Sequence, residues 1–277
     1  PPKQEQTAIA NYLDKACSRI DKIIKIKEEQ IKFNKGTFES KIYELVTKGK
    51  NKKDLIESTN QTIGKYPKDW KISSLKNHCR IFPSNVDKKS FDNEIPVKLC
   101  NYVDVYYNNF ITKNIEFMDA TAKASEIKKF QLKKGDVLVT KDSEDPMDIG
   151  VPAVVKETFE KFLSGYHLSM MRCNGFTLIG EYLFWLLKNK SIASQLFREA
   201  TGVTRWAIAS RHFKNIQIPL PPIDEQKEIS NTLEELNKKH QKVEDKIIQQ
   251  IKTLKNYRKS LIHECVTGKK QVIYQDV

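Results

Sequence analysis

Residues that could do chemistry are few and widely separated in this sequence. Four acids crowd the stretch KDSEDPMD at 141–148, and clustered carboxylates can hold a divalent metal in a nuclease. Acids packed into one turn are more often a solvated loop. The histidines are too dispersed to suggest a ligand set: His78, His167, His212, His240 and His263. We therefore predict no catalytic residue, no metal site and no cofactor site on this chain.

Sequence motifs of nucleotide-using and hydrolytic enzymes are missing. The sequence has no G-x-x-x-x-G-K-[ST], no G-x-G-x-x-G, no H-E-x-x-H and no G-x-S-x-G. A base methyltransferase would also need a glycine-rich cofactor loop and an N-P-P-[YF] or P-C motif, and neither occurs. The sequence therefore predicts a protein that binds its ligand without transforming it.

Charge points to the kind of ligand. Lys and Arg number 48 against 35 Asp and Glu, a formal net charge of +13 over 277 residues. Such an excess favours a polyanionic partner, with nucleic acid as the leading candidate and a simple solubility role as the alternative. No run of about 18 apolar residues is present, so we expect no membrane span. Five scattered cysteines and no visible signal peptide predict a reducing cytoplasm.

An internal repeat organises the chain. The phrase PPKQEQ at residue 1 returns as PPIDEQ at 221, and residues 1–50 align with 221–270 without a gap, with 18 of the 50 positions identical. Two copies set 220 residues apart cannot stack as neighbouring units of a solenoid. The repeat therefore predicts two related elements that flank one unrelated insert.

Each copy of the repeat has the pattern of a long helix. Apolar residues recur at alternating spacings of four and three with charged residues between them, and neither copy has an internal proline after its Pro-Pro start. Both end near a glycine that can stop a helix. A rod of forty residues would extend ~60 Å and needs a partner for its stripe. The predicted coiled-coil seam comprises Ile9, Leu13, Ile20, Ile31, Ile42, Ile229, Leu233, Leu236, Val243, Ile247, Ile251 and Leu254.

Polar residues interrupt this stripe at Lys27, Asn34, His240 and Arg258. Buried polar pairs could select the register of the two helices. Alternatively, the seam flares at these positions and the side chains reach solvent.

The insert has a different character. Residues 51–64 are polar and unpatterned, as in a linker, whereas 65–220 alternates short β-type runs with turns and includes one convincing helix at 180–200. We predict an α+β protein: a long helix at 1–50, a linker at 51–64, a mixed α/β domain at 65–220, a second long helix at 221–270 and a tail at 271–277.

Phrases distributed along the whole chain resemble one family. The runs YPKDWKISSLKN, VKLCNYVDVYYNNFI, LKKGDVLVTKDSEDPMDIGVPAVV and ATGVTRWAIASRHFKNIQIPLPPIDEQKEI, followed by a heptad helix, resemble the specificity (S) subunit of type I restriction–modification systems. The junction IPLPPIDEQ is the most distinctive of them. In that family two target recognition domains alternate with two conserved helices that pair antiparallel as a ruler. This chain has the order helix, domain, helix, which matches a half-length subunit or a fragment.

The resemblance implies a function and partners. The chain would read one half of a split target in double-stranded DNA and dock the methyltransferase (M) subunits, with a restriction (R) subunit as a further partner. S-adenosylmethionine would be bound by the methyltransferase subunits, and ATP and Mg by the restriction subunit, with no cofactor on this chain. A homodimer of half-subunits would restore the second reader and would require an inverted-repeat target. The expected location is a prokaryotic cytoplasm.

DNA contacts need cations for phosphates and bidentate groups for base edges. Three loops combine such residues: 106–113, the turn after GDVLV, and 201–214. The predicted contact residues are Tyr106, Tyr107, Asn108, Asn109, Lys113, Lys141, Ser143, Thr204, Arg205, Arg211, His212 and Lys214. Tyr106 could equally be a packing residue, and Arg211 could cap a helix.

Other classes of function stay open at this point. The chain could be a homodimeric nucleic-acid-binding protein unrelated to restriction, in which the coiled coil serves dimerisation. It could also be a coiled-coil scaffold without sequence-specific binding, or an enzyme of an unrecognised type, which the missing motifs oppose.

Overall fold

The structure is a computed structural model that describes residues 1–52, 54–145, 148–202 and 204–272. Its residues fall into two compact units, which we name the helical unit, Pro1–Phe38 with Glu235–Val277, and the globular unit, Glu39–Glu234. The helices are α1 Lys3–Lys48, α2 Tyr102–Tyr107, α3 Ala124–Phe130, α4 Gly180–Lys188, α5 Lys190–Phe197, α6 Ser210–Asn215 and α7 Ile223–Val266.

The strands are short, and most of them belong to the insert. They are β1 Leu55–Glu57, β2 Lys65–Pro67, β3 Lys71–Ser74, β4 Cys79–Pro83, β5 Ile95–Cys100, β6 Phe110–Ile111, β7 Met118–Ala122, β8 Val137–Thr140, β9 Asp142–Ser143, β10 Pro152–Val155, β11 Phe162–Ser164, β12 Leu168–Cys173, β13 Thr201–Gly202, β14 Trp206–Ala207 and β15 Gln217–Leu220. The predicted α+β class with two long helices is confirmed.

The two repeat copies form α1 and α7, and both stop where the sequence predicts. Gly49 and Gly268 follow them with φ of +65° and +73°, a left-handed conformation that glycine adopts without the strain of a Cβ. Within the helical unit the two helices run antiparallel, because Lys27 faces Gln250 near the middle while Tyr12, close to the start of α1, accepts a hydrogen bond from Lys270 after the end of α7.

An apolar cluster holds the helical unit together. It is centred on Ile20, Ile24, Ile251, Leu261 and Cys265, with Ile9, Leu13, Ile31, Ile247 and Leu254 packed against it. Most of the predicted seam therefore lies in this cluster, and Leu236 is partly buried. Ile42, Ile229 and Leu233 are buried in the globular unit instead, which also includes the last turns of α1 and the first turns of α7.

Val243 was predicted for the seam, and this assignment is wrong. Its side chain is 46% exposed. On α7 the partly buried positions after His240 are Glu244, four residues on, and then Ile247. His240 occupies the facing position by stacking on Phe38, with ring centroids 4.8 Å apart. A step of four instead of three turns Val243 away from the partner helix.

The polar residues in the stripe pair across the helices. Asn34 Nδ2 lies 2.7 Å from His240 Nδ1, and Lys27 donates to Gln250 Oε1 at 2.7 Å. Arg258 Nε lies 3.2 Å from Asp21 Oδ1. The Asn34–His240 contact is partly buried, so the interpretation of register selection by polar pairs is favoured there over a seam that opens to solvent.

The globular unit is built on a five-stranded sheet in the order β4-β12-β8-β10-β6, in which only the β10–β6 pair is parallel. A three-stranded sheet, β11-β5-β7, lies alongside, and Cys100, Val105, Ile111, Phe162 and Met170 are among the residues of one core that both sheets share. Helix α4 is buried along most of its length and packs on β8, β10 and β12. This buried core is the base from which the loops extend.

Several local predictions for the insert are wrong in type or extent. The sequence run VKLCNYVDVYY at 97–107, one of the β-type runs of the insert, is not a single strand, because the carboxylate of Asp104 accepts the backbone N–H of Asn101 at 2.7 Å and starts α2. The helix at 180–200 is two helices, since the Asn189 side chain accepts from the N–H of Ile192 and caps α5. The segment 51–64, predicted as a linker, contains β1 and a fully buried Ile63.

Candidate nucleic-acid interface

Parts of the three predicted loops meet in the structure, although 63 residues separate Asp142 from Arg205 in sequence. Strand β14 pairs with β9, placing Trp206 opposite Ser143 and Ala207 opposite Asp142, and β13 pairs with the other edge of β14. Helix α2 joins them because the Tyr102 hydroxyl lies 3.3 Å from Ser143 Oγ. We name this set, residues 102–107, 142–145, 201–202 and 204–207, the loop cluster.

Backbone hydrogen bonds explain why the loop cluster forms where it does. The N–H of Lys141 donates to the carbonyl of His167, and the N–H of Ile208 donates to the carbonyl of Lys141, both at 3.0 Å. The chain leaving β8 is thus held between the start of β12 and the strand β14. As a result, Asp142 emerges beside His167 and Arg205.

Arg205, Asp142 and His167 form a close polar triad. Arg205 donates to Asp142 Oδ1 from Nε at 3.0 Å and from Nη2 at 2.7 Å, and His167 Nδ1 lies 2.6 Å from the same oxygen. The Asp142 and His167 side chains are only 14% exposed, whereas that of Arg205 is 52% exposed. Burial lowers the pKa of His167. A neutral His167 with its proton on Nδ1 satisfies Asp142 and leaves Nε2 as an acceptor beside Arg205.

Three tyrosines line the α2 side of the loop cluster. Tyr102 and Tyr106 stack with ring centroids 5.5 Å apart, and Tyr107 meets Tyr106 edge-on at 5.0 Å. A hydrogen bond to Asp148 raises the pKa of Tyr106 by favouring the protonated phenol. Tyr107 is 78% exposed, so its ring offers a free apolar face to a base or sugar.

Other predicted contact residues are used inside the domain. The Lys141 ammonium donates to the carbonyl of Ser84 at 2.8 Å, and burial lowers its pKa. Ser143 is buried, and the Asn108 amide donates to the carbonyl of Asp104. The backbone of Lys113 donates to Glu157, on the side where β6 pairs with β10. Asn109 also lies at this edge, where its carbonyl accepts from Val154.

The remaining predicted residues divide between two places. Thr204 is exposed in the turn that precedes Arg205. Arg211, His212 and Lys214 lie on α6, which packs on the 3-10 turn Leu75–Asn77 and on β4. His212 Nδ1 lies 3.0 Å from Glu199, while Arg211 and Lys214 are exposed. Helix α6 is thus a second, basic candidate surface next to the loop cluster in sequence.

Sequence reasoning missed the acids and the histidine of this site. Asp142 and Asp148 belong to the stretch interpreted as a solvated loop, and His167 was set aside as isolated. In the structure they hold Arg205 and Tyr106, so the acids orient cationic and aromatic side chains. Among the residues that the structure describes, no group of three potential metal ligands forms. Nor does any described helix have the length and apolarity that a membrane crossing requires.

The chain belongs to the type I restriction modification DNA specificity domain family, whose model matches residues 67–253. It is 24% identical over 257 residues to the MjaVIII type I restriction enzyme specificity subunit of Methanocaldococcus jannaschii, covering 86% of this chain and 54% of that protein. It is 28% identical over 179 residues to the MjaIX specificity subunit of the same organism, covering 62% and 38%. This chain spans about half the length of such relatives or less.

Solved structures share the fold. One chain, from a study of complex assembly and conformational transition in the type I R-M system, aligns with a TM-score of 0.72 at 16% identity, over 96% of this chain and 60% of its own length. The HsdS subunit from Thermoanaerobacter tengcongensis aligns with a TM-score of 0.53 at 17% identity, over 96% and 58%. The predicted family is confirmed, and these likenesses show the fold.

Proposed function

We propose that this chain is the DNA sequence-recognition component of a type I restriction–modification methyltransferase complex and reads one half of a bipartite target. The observation that carries the proposal is the loop cluster, in which an exposed Arg205 and an exposed Tyr107 stand on a domain of the DNA specificity family. Its relatives are named specificity subunits, the non-catalytic component, and the family match favours this function over an unrelated nucleic-acid-binding protein.

Electrostatics supports duplex DNA as the ligand. A net charge of +13 attracts phosphates without regard to sequence, and this term supplies most of non-specific binding. Base edges in the major groove then require a small set of oriented donors and acceptors. The loop cluster supplies such groups, and the exposed cations of α6 supply phosphate contacts.

The helical unit supports docking of the methyltransferase subunits. Apolar side chains outside its seam are exposed, among them Ile23, Ile26 and Phe33 on α1 and Val243 and Ile248 on α7. Ile23 and Val243 are equivalent in the repeat and are 43% and 46% exposed, so the two helices present matching apolar positions. Exposed apolar side chains on a helix pair suit partner helices. S-adenosylmethionine belongs on those subunits, and ATP with Mg on a restriction subunit.

The repeat supports a second recognition domain. Val46 is fully buried in the globular unit, whereas its equivalent Val266 in the helical unit is 64% exposed. Likewise Thr47 is buried and Thr267 is exposed. Positions that are buried in the globular unit in one copy of the repeat are thus exposed in the other copy. The second domain comes either from a longer polypeptide or from a second copy of this chain, and the latter arrangement gives an inverted-repeat target.

The test is reconstitution of the chain with its methyltransferase subunits, followed by mapping of methylated sites on genomic DNA. A single bipartite methylated motif whose half-site changes when residues 65–220 are exchanged supports the proposal. Methylation that ignores this exchange, or binding of the subunits without the chain to the same motif, contradicts it. Calorimetry with S-adenosylmethionine should show no tight binding to the isolated chain, and tight binding would contradict the assignment of the cofactor to the partner.

A further inference from the structure

We infer that Asp142 is a positioning residue that fixes Arg205 to read a guanine, and that this arginine is a determinant of target sequence. The inference rests on the proposed function and adds to it a residue that is not itself a base contact. Its physical basis is the geometry of the Arg205–Asp142–His167 triad.

Asp142 orients the guanidinium from one side. Nε and Nη2 of Arg205 both donate to Asp142 Oδ1, at 3.0 and 2.7 Å, which fixes the plane of the group. Asp142 is itself held, because β9 pairs with β14 and His167 Nδ1 bonds the same oxygen. Two of the five N–H donors of Arg205 are used in this way. Nη1 makes no hydrogen bond to any described residue.

A guanine suits the free edge of this arginine. Guanine presents O6 and N7 as adjacent acceptors in the major groove, and an arginine meets them with a pair of parallel N–H donors. A long flexible side chain loses conformational freedom when it binds, and a side chain already fixed by a carboxylate loses less. The ion pair with Asp142 therefore favours a guanine contact by Arg205, because that contact depends on the orientation of the guanidinium.

A phosphate suits the arginine less well. Phosphate attraction depends on net positive charge, and Asp142 at 2.7 Å compensates the charge of Arg205. Asp148 adds a second carboxylate to the same region through its hydrogen bond with Tyr106. A cation meant for phosphates would be better placed away from such acids, as Arg211 and Lys214 are exposed on α6.

His167 completes the site on the other side. Its Nδ1 and Nε2 lie 3.2 and 3.4 Å from Arg205 Nη2, and its ring meets that of Tyr166 at a tilt of 42° with centroids 3.7 Å apart. The side chain is 14% exposed, so it is fixed by its surroundings. His167 thus limits the rotation of the guanidinium about its bond to the arginine chain, and it keeps Asp142 in place.

The experiment selects duplexes from a randomised pool with the reconstituted methyltransferase complex and compares the wild type with three variants. We expect one position of the selected half-site to be guanine, and this preference to be lost in Arg205→Ala. Asp142→Asn should weaken the preference at the same position by about ten-fold and leave the other positions and the salt dependence unchanged. The matched control is Asp119→Asn, which removes an exposed carboxylate from the Lys98–Asp119 ion pair elsewhere in the domain and should change neither.

A base analogue gives a readout that a merely structural role of Asp142 would not move. Replacing the guanine with 7-deazaguanine removes N7, so it should weaken wild-type binding by about ten-fold but have little effect on Arg205→Ala or Asp142→Asn. If Asp142→Asn does not fold, Asp142→Glu keeps the charge and changes its reach, and should give an intermediate sensitivity to the analogue.

The outcomes separate the two proposals. A wild-type complex that selects no sequence overturns the proposed function, and the inference with it. A wild type that selects a sequence, but whose Arg205-dependent position is not guanine, overturns the inference alone. The same holds if Asp142→Asn keeps the full guanine preference and the full sensitivity to 7-deazaguanine.

Discussion

Gln226 and Gln6 occupy equivalent positions in the internal repeat, yet Gln226 is completely buried and Gln6 is exposed. Gln226 donates from Nε2 to the carbonyls of Thr177 and Pro221, both at 2.8 Å, and accepts the N–H of Ile179 at 3.1 Å. The side chain of Gln6 makes an exposed hydrogen bond to the carbonyl of Pro1. The repeated sequence therefore anchors the globular unit at its second copy, where Gln226 is buried and hydrogen-bonded. In the first copy the equivalent Gln6 is exposed.

Gln226→Ala should destabilise the protein, because it leaves two carbonyls and one N–H without partners in a buried place. We expect a loss of about 2–3 kcal/mol in the free energy of unfolding, measured by urea denaturation. Gln6→Ala is the matched control and should change it by less than about 0.5 kcal/mol. Equal effects of the two variants would show that Gln226 is not an anchor.

The seam of the helical unit can be tested by two isoleucines only three residues apart. Ile251 is 9% exposed in the apolar cluster, and Ile248 is 51% exposed. Ile251→Asp places an unpaired charge in that cluster and should cost about 3 kcal/mol in thermal or urea unfolding. Ile248→Asp should be nearly neutral. A larger effect at Ile248 would mean that the seam is wrongly placed.

Substitutions of exposed apolar residues on the helical unit should weaken partner docking and leave stability unchanged, unlike substitutions in the seam. Phe33 is 78% exposed, so Phe33→Asp, like Ile248→Asp, should leave the melting temperature of the isolated chain unchanged. Each should reduce co-elution with the methyltransferase subunits in size-exclusion chromatography, since a charge at an apolar interface is costly. Lys25 is exposed on α1, the helix of Phe33, and Lys25→Asp serves as the control for added negative charge. Retained co-elution in both apolar variants would remove this face from the interface.

The long helices were predictable because their information is local. Heptad spacing, the Pro-Pro start and the terminal glycines place α1 and α7 nearly to the residue. Val243 was misplaced because the buried positions of α7 are spaced four residues apart after His240, where heptad spacing predicts three. The stacking of Phe38 on His240 accompanies this change, and the sequence pattern does not reveal that contact. The loop cluster was predictable only as separate loops. The pairing of β9 with β14 joins residues 63 positions apart, and no sequence pattern carries the Asp142–Arg205 bond.

Acid should weaken the fold through His167. Burial lowers the pKa of this residue, the cations Arg205 and Lys88 lower it further, and Asp142 opposes them. The folded state thus binds fewer protons than the unfolded state, so stability is present above pH ~6.5 and is lost as the pH falls toward the lowered pKa. His78, whose pKa burial also lowers, acts in the same direction.

The measurement is the free energy of urea unfolding at pH 7.5 and at pH 5.5 in the wild type and in His167→Gln. The variant keeps a donor for Asp142 and should lose less stability between the two values. The raised pKa values of Asp104 and Glu225 act with the opposite sign at lower pH, which is why the comparison stops at 5.5. An unchanged pH dependence in His167→Gln would exclude His167 as its source.

The two arginines of the 201–214 loop should differ in kind. Arg205 is fixed by Asp142, whereas Arg211 is exposed on α6 and has no ion pair with any residue that the structure describes. A free, uncompensated cation contributes mainly through phosphates. Arg211→Ala should therefore weaken binding to cognate and scrambled duplexes equally and reduce the slope of log K against log salt by about one. Lys133 is exposed and lies outside the loop cluster and α6. If Lys133 faces DNA, Lys133→Ala should also weaken binding to both duplexes and reduce the salt slope; if it does not, binding should be unchanged.

Competition titrations of the reconstituted complex at several salt concentrations distinguish these cases. Arg205→Ala should cost ~1–3 kcal/mol on the cognate half-site alone and leave the salt slope nearly unchanged. If Arg211→Ala instead relaxes discrimination while Arg205→Ala lowers all affinities alike, then α6 is the element that reads the bases. The loop cluster would in that case hold the phosphate backbone, despite its carboxylates.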